Sequence, residues 1–380
     1  MEGSVHLIDT TLRDGEQAPR VAFSASEKSE LALMLDEAGL DEIELGIPAM
    51  GDAEIVAIRS VARLNLQAQL TCWARAVESD IHAAAACETR FVHISFPTSR
   101  LQLELNGRDE DAQLEQVTRL VGIALRDFDG VSVGALDGTR TDVDRLLAFG
   151  EAAFRAGARR LRIADTVGVG SPPAIRGLFE QLTRALPNID LEFHGHNDLG
   201  LATANTLAAV VGGASAASVT VGGLGERAGN AALEEVVIAL RVLHGIETAI
   251  DVSMLRPLCD RVAEYAQRPV PVSKPVVGSD VFTHESGIHV AAMLKNPYAF
   301  QPFLPEEIGG SETRFVVGKH TGSAALRHAL EEQGIAVDDE ALRKVVPKVR
   351  HVAAVKKGEV TPDELLQLYR AVQEGDTTDS

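Results

Sequence analysis

His194 and His196, one residue apart in the segment His194-Gly-His-Asn-Asp198, are the sharpest chemical signal in the chain. If that segment ends a β-strand, positions i and i+2 point the same way and both imidazoles reach one ion. A carboxylate would complete a facial set with coordination positions left open for a chelating substrate, which suits a catalytic ion better than a structural one. Taken alone, a His-x-His pair is equally a hydrogen-bonded pair of strand histidines. A second cluster is Thr11-Leu-Arg-Asp-Gly-Glu-Gln17, where Arg13 beside Asp14 suits the steadying of an enolate or alkoxide next to a metal. Away from such a site the same two residues would make a surface ion pair. The Gly222–Gly229 loop precedes a helix, so its amides either receive an anion or make a tight turn.

These groups need elements to carry them. From Val5 to about Gly245, short β-branched runs alternate with amphipathic stretches of helical length, the pattern of βα units around a parallel sheet. Strands are expected near Val5–Asp9, Glu42–Gly46, Ala68–Trp73, Phe91–Phe96, Val131–Leu136, Arg160–Ala164, Asp190–His194 and Ala217–Val221. Eight such pairs are the barrel number, and barrel sites lie at the C-terminal strand ends. Polar residues crowd there: the Arg13-Asp14 loop follows the first strand, Glu44 ends the second, Asp165-Thr166 follow the sixth and the histidine pair ends the seventh. Ser26 with Ser29 and Glu30 is expected to open the first helix, while Gly39, Gly157 and Gly213 close others. An open doubly wound sheet would favour a glycine-rich phosphate fingerprint after the first strand, and an acidic, arginine-bearing loop stands there instead. Past Pro269-Val-Pro-Val-Ser-Lys-Pro275 the sequence turns mainly helical and ends in a polar tail, Glu374–Ser380. The expected α/β architecture is therefore a (β/α)8 TIM barrel over 1–268 and a smaller, mainly helical C-terminal lid region over 269–380.

Composition narrows the partners. At 380 residues, 45% hydrophobic and 24% charged, the chain can bury a large core, and its net charge of −19 opposes a nucleic-acid backbone. The basic stretch Arg343 to Lys357 is read as a solvated helix face. Cys72, Cys87 and Cys259 are too scattered for a disulfide framework. With neither a secretory leader nor a run near the roughly 20 residues of a membrane helix, a cytoplasmic protein is expected.

The chain resembles the acyl-CoA condensing enzymes of the metal-dependent barrel family that includes homocitrate, isopropylmalate and citramalate synthases. The resemblance covers nearly the whole chain and rests on Asp9-Thr-Thr-Leu-Arg-Asp-Gly-Glu-Gln17, His194-Gly-His-Asn-Asp198, the Gly222–Asn230 loop, Thr283-His-Glu-Ser-Gly-Ile-His289 and Gly318-Lys-His-Thr-Gly322. Gly46-Ile-Pro-Ala-Met-Gly51, Ala164-Asp-Thr-Val-Gly168 and Leu199-Gly-Leu-Ala-Thr-Ala-Asn205 look most like the homocitrate synthases of nitrogen fixation. It implies that Asp14, His194 and His196, with Asn230 nearby, bind a divalent metal (zinc, manganese or magnesium) and that a 2-oxo acid chelates it. It further implies acetyl-CoA as co-substrate, Arg13 as support for the reacting oxygens, and Gln17, Glu44 and Thr166 as substrate-site positions. His289 matches a lid histidine that reaches the neighbouring subunit, which implies a homodimer with exchanged lids.

The chain departs from that family at several points. A glutamate usual at the end of strand five is Leu136, and a lid tyrosine is Phe300, with Tyr298 two residues away. Arg20 stands where glycine is usual and Arg100 where aspartate is usual; both are read as catalytic-face arginines that favour a carboxylate or phosphonate. The expected acceptor is then more anionic or shorter than 2-oxoglutarate, with phosphonopyruvate and oxaloacetate as candidates. With no proton acceptor at Leu136, His289 becomes the candidate base, oriented by Glu285 one helical turn earlier. A retro-aldol lyase of the same superfamily and a catalytically silent binding protein are the competing readings.

Overall fold

The computed structural model describes residues 5–375, so the end of the polar tail, 376–380, lies outside the described residues. The chain divides into two compact units at the Val270–Pro271 peptide, against an expected boundary at 268–269.

In the first unit the strands are β1 (His6–Asp9), β2 (Glu42–Glu44), β3 (Gln69–Arg75), β4 (Phe91–Pro97), β5 (Gly130–Leu136), β6 (Arg160–Asp165), β7 (Asp190–Gly195) and β8 (Ala216–Val219). All are parallel, each pairs with the next, and β1 pairs with β8 through His6 to Ala216 and Asp9 to Val219, which closes the barrel. The helices between them cover the outer face. Phe193 of β7, for example, meets Phe179 of the helix Pro172–Ala185 edge to face at 5.8 Å. The first helix, Ala25–Glu37, is capped by Ser24, two residues before the expected Ser26, because Ser24 and Glu27 satisfy each other's backbone N–H in a capping box.

Strand parity makes the interior unusual. Ile43, Leu161, Ile163, Leu191 and Phe193 are buried under the helices. The alternate positions Glu42, Glu44, Arg160, Arg162 and Glu192 share the barrel interior, where branched apolar side chains are the usual filling.

The second unit pairs two short parallel strands, β9 (Thr283–His284) and β10 (Arg314–Phe315), which the sequence pattern did not suggest. Its helices Ser323–Glu331, Asp339–Lys356 and Pro362–Gln373 pack around Leu326, Leu330, Leu342, Val345, Val349, Leu365 and Tyr369. In Asp339–Lys356 the apolar stripe Leu342, Val345, Val349, Ala353 faces that core, and Lys344 pairs with Glu340 on the other side. Among the described residues no helix is long and apolar enough to cross a membrane.

Candidate active site

A cavity of about 180 Å³ opens at the C-terminal strand ends and is lined by Arg13, Asp14, Gln17, Trp73, His93, Ser95, Gly134, Leu136, Arg162, Ala164, Thr166, His194, His196, Glu226 and Arg227. The strand-end histidines do point the same way. Nε2 of His194 lies 3.2 Å from Nε2 of His196 and 3.2 Å from Oδ2 of Asp14. One donor atom from each of the three residues falls within 4.8 Å of the others.

The residues present fit a divalent cation. Nδ1 of both histidines is buried without a hydrogen-bond partner, so neither ring is spent on the surrounding protein. Burial, then the neighbouring His194, pushes His196 down to about 4, which keeps the ring neutral near neutral pH. Burial would raise the Asp14 carboxyl, but the Arg13 guanidinium beside it and His194 hold it well below the usual carboxylate range. An anionic oxygen at Asp14 and a neutral ring at His196 are protonation states that ligation requires.

The loop that follows β8 braces this cluster. His196 bridges to Asn230, Asn197 N–H donates to the Gly229 carbonyl and Ala231 N–H to that of Gly195. Gly229 has φ +89, and a Cβ there would lie 2.0 Å from the Gly223 carbonyl oxygen, so only glycine closes the loop. Asn230 donates its side-chain amide to Asp14 Oδ1 at 3.1 Å and to the Leu224 carbonyl at 3.0 Å, which leaves its buried Oδ1 without a hydrogen-bond partner and able to face the same cation. The loop amides are not an anion nest, however. Gly222 N–H is taken by Glu234, and those of Gly223, Leu224, Gly229 and Asn230 by carbonyls of the same segment.

Arg13 is held on two sides: Nη1 donates to Asp14 Oδ2 at 2.6 Å and Nε to Glu44, with its guanidinium carbon 5.6 Å from the Trp73 ring centre. Glu44, expected among the substrate-site positions, is fully buried and does not line the cavity; its two oxygens serve Arg13 and Arg162. Burial would raise Glu44, and those two arginines lower it below the ordinary value.

Gln17 and Thr166 line the cavity. Thr166 also accepts from Asp137 N–H at 2.8 Å. The two arginines read as cavity residues are elsewhere. Arg100 is the first residue of a short helix, and its largely exposed side chain pairs with Glu104 one turn on. Arg20 is exposed in the left-handed region at φ 69, which explains why a glycine would suit that position. Leu136 lines the cavity as an apolar wall, and its neighbour Asp137 cannot replace a missing acid. The Asp137 carboxylate accepts from Ser99 at 2.5 Å and from Arg140 at 2.8 Å twice over.

In the second unit, His289 stacks on Phe300 with ring centres 4.0 Å apart. Glu285 does not orient it. Its Oε1 accepts from the His320 backbone N–H at 2.8 Å, because Glu285 lies before the helix Gly287–Met293 and helical spacing does not relate it to His289.

Among the cavity residues that sequence reasoning did not assign are Trp73, His93, Ser95 and Arg162, and Arg227 was seen only as part of the Gly222–Asn230 loop. His93 shares Nδ1 with Ser132 Oγ at 2.9 Å, and burial, aided by nearby arginines, keeps it neutral. A Cβ on Gly134 would lie 2.6 Å from His93 Nε2, so this glycine makes room for the ring. Arg227 is tied to Asp198 at 2.7 and 3.0 Å and to the Thr166 carbonyl at 2.8 Å. The missed signal was parity: Glu192, His194 and His196 alternate along one strand, as do Arg160 and Arg162, and Glu42 and Glu44.

Comparison with known proteins adds to this geometry. The family model described as HMGL-like matches residues 4–262, and the one described as homocitrate synthase post-HMGL domain-like matches residues 276–357. The 2-isopropylmalate synthase 2 of Caldanaerobacter subterraneus subsp. tengcongensis is 43% identical over 369 residues, covering 97% of this chain and 96% of its own. Homocitrate synthase 1 of Nostoc sp. is 44% identical over 367 residues, covering 96% of this chain and 97% of its own. The crystal structure of the Bacillus subtilis HMG-CoA lyase superposes with a TM-score of 0.63 at 21% identity, over 70% of this chain and 95% of that one, a likeness of fold. Two relatives named for different products are equally similar, so overall identity does not select an acceptor.

Proposed function

The chain belongs to the HMGL-like family and is an enzyme of the acyl-CoA condensing synthase type, and from that premise we propose that it joins acetyl-CoA to a short 2-oxo acid bearing a second anionic group, then hydrolyses the thioester. The reading is homocitrate synthase-like in reaction class, with oxaloacetate or phosphonopyruvate in place of 2-oxoglutarate. The observation that carries it is the cavity of about 180 Å³, which sets Asp14, His194 and His196 beside Arg13 and is walled on another side by Leu136. A small cavity with the Arg13 guanidinium beside the metal-capable cluster favours a short acid over a branched apolar one.

A divalent cation bound by Asp14, His194 and His196 would supply Lewis-acid polarisation of the keto group. Arg13, fixed by Asp14 and Glu44, offsets the negative charge that grows on the keto oxygen as the new carbon–carbon bond forms. That bond joins the acetyl methyl carbon to the keto carbon, and a base takes the methyl proton. Leu136 cannot accept it, and Asp137 is committed to Arg140 and Ser99. We assign the proton to His289, supplied by the helical unit of a second copy in a homodimer. Water then cleaves the thioester and releases the free CoA thiol. Full turnover by His289→Ala, or a monomer with full activity, would remove this assignment and leave the rest of the reading in place.

The test is metal-dependent thiol release from acetyl-CoA across oxaloacetate, phosphonopyruvate, 2-oxoglutarate, pyruvate and 3-methyl-2-oxobutanoate, with products weighed by mass spectrometry. The highest kcat/KM is expected for one of the first two. A maximum at 2-oxoglutarate with phosphonopyruvate inert, or at 3-methyl-2-oxobutanoate, would overturn the acceptor assignment. No thiol release, with cleavage of a 3-hydroxyacyl-CoA, would overturn the direction of the reaction.

A further inference from the structure

Inside the barrel, acids and arginines alternate in one continuous ladder. Glu42 on β2 takes Arg160 Nη2 from β6 at 2.8 Å on both oxygens, with Thr71 at 2.6 Å and Gln69 at 2.8 Å on the same carboxylate. Arg160 Nε lies 2.8 Å from Glu192 Oε2 on β7, and Glu192 Oε1 takes Arg162 Nε at 2.5 Å together with the Ser218 hydroxyl. Arg162 Nη2 reaches Glu44 Oε2 at 2.9 Å, and Glu44 Oε1 takes Nε of Arg13. The three glutamates are fully buried.

Buried ion pairs add little net stability compared with apolar residues of the same volume, whereas losing one partner strands a charge. Their distinctive product is orientation. Glu44 has one oxygen for each of two arginines, so the direction in which it pulls Arg13 depends on where Arg162 holds its other oxygen. We propose that Arg162, anchored by Glu192, is a positioning residue of the reaction, acting through Glu44 to set the guanidinium plane of Arg13 beside the Asp14 cluster. This rests on the condensing reading for its kinetic consequence but not for its geometry.

The chain carries its own reporter: Trp73, the single tryptophan, whose ring centre lies 5.6 Å from the Arg13 guanidinium carbon. The experiment compares Arg162→Lys, Arg13→Lys and the double variant by kinetics and by Trp73 emission in the metal-free protein. Arg162→Lys keeps the charge and loses the planar fork, so kcat is expected to fall about 10- to 100-fold with the acceptor KM little changed. In the Arg13→Lys background the same change is expected to cost less than about 3-fold, because a residue acting through Arg13 has little left to act on. Trp73 emission is expected to shift in Arg162→Lys and to show no additional shift from the Arg162 change in the double variant.

Independent, multiplying losses would overturn the proposal. So would a raised acceptor KM with kcat retained, the mark of direct contact with the substrate, or an unmoved Trp73 emission. If Arg162→Lys does not fold by circular dichroism, the isosteric Glu192→Gln carries the test one step further away. It is expected to cost about 3- to 10-fold in kcat with the same dependence on Arg13, and losses independent of Arg13 would again overturn the proposal. Should the wild-type enzyme release no thiol with any 2-oxo acid, the functional reading fails, and the Trp73 emission of the metal-free variants still decides the positioning role.

Discussion

Between β2, β6 and β7 the barrel is filled by Glu42, Glu44, Arg160, Arg162 and Glu192, whereas the space among the helices of residues 323–373 is filled by Leu326, Leu330, Leu342, Val345, Leu365 and Tyr369. In both interiors most buried polar groups have a partner. Even the Tyr369 hydroxyl is used, accepting from Asp338 N–H at 2.6 Å. They do different work. Each apolar side chain of the helical core contributes about 1.5–3 kcal/mol by leaving water, in any packed orientation. The barrel charges contribute little net stability and instead fix directions, because an ion pair with two planar partners tolerates few geometries. The helical core thus supplies cohesion, as the apolar layer under the barrel helices also does, and the charged barrel interior supplies aim.

The sharpest way to break the contrast is at the top of the ladder. Asp14→Asn is expected to lower thiol release on the order of a thousandfold, since a ligand and a charge go together. Calorimetric metal titration should weaken in parallel, with the helical unit still folded by circular dichroism. Next in size, Leu326→Ala in the helical core should cost about 2–5 kcal/mol in urea unfolding while leaving metal affinity at the barrel unchanged. A loss of metal affinity comparable to that of Asp14→Asn would show that cohesion and aim are not separable.

A pH series sharpens the comparison further. Burial raises Asp9 from 3.8 to about 7, against its bonds from Thr11. The folded barrel therefore keeps a proton that the unfolded chain releases, and the metal-free protein loses stability as pH rises from about 4 to about 7, by up to ~1.4 kcal/mol per pH unit from this group. Asp9→Asn should remove that contribution, read as the difference between the two proteins' urea midpoints across the range. Smaller still, Arg20→Gly should stabilise by roughly 1 kcal/mol by relieving the left-handed backbone, without changing acceptor preference. Arg100→Ala, removing only an exposed pair with Glu104, should change kcat/KM less than about 2-fold.

Much of the site was legible because its signals are local. His194 and His196 share a face by strand parity alone, the Arg13-Asp14 loop follows a recognisable strand, and eight βα alternations imply a closed barrel. Arg20 and Arg100 were misread because a loop's place in the sequence does not say where its side chains go. Arg100 opens a helix and turns along it to Glu104, and Arg20 serves a backbone turn. Glu285 was misread because the spacing was counted along a helix that begins only at Gly287.

The sequence by itself determined the strands, their order and the shared face of His194 and His196, which depend on residue type and on spacing within one segment, while Asp14 as the third ligand and the reaction class came from the family resemblance. The tertiary structure alone decided what Arg162, Glu192 and Glu44 are for. A charged residue in an alternating strand looks like a solvent-facing position until the barrel closes. Closure brings Arg160 to Glu42 across 118 residues of chain, and no local pattern encodes a partner that distant. The histidine pair was therefore readable as chemistry from the start, but the ladder that holds its arginine neighbour in place exists only in the folded barrel.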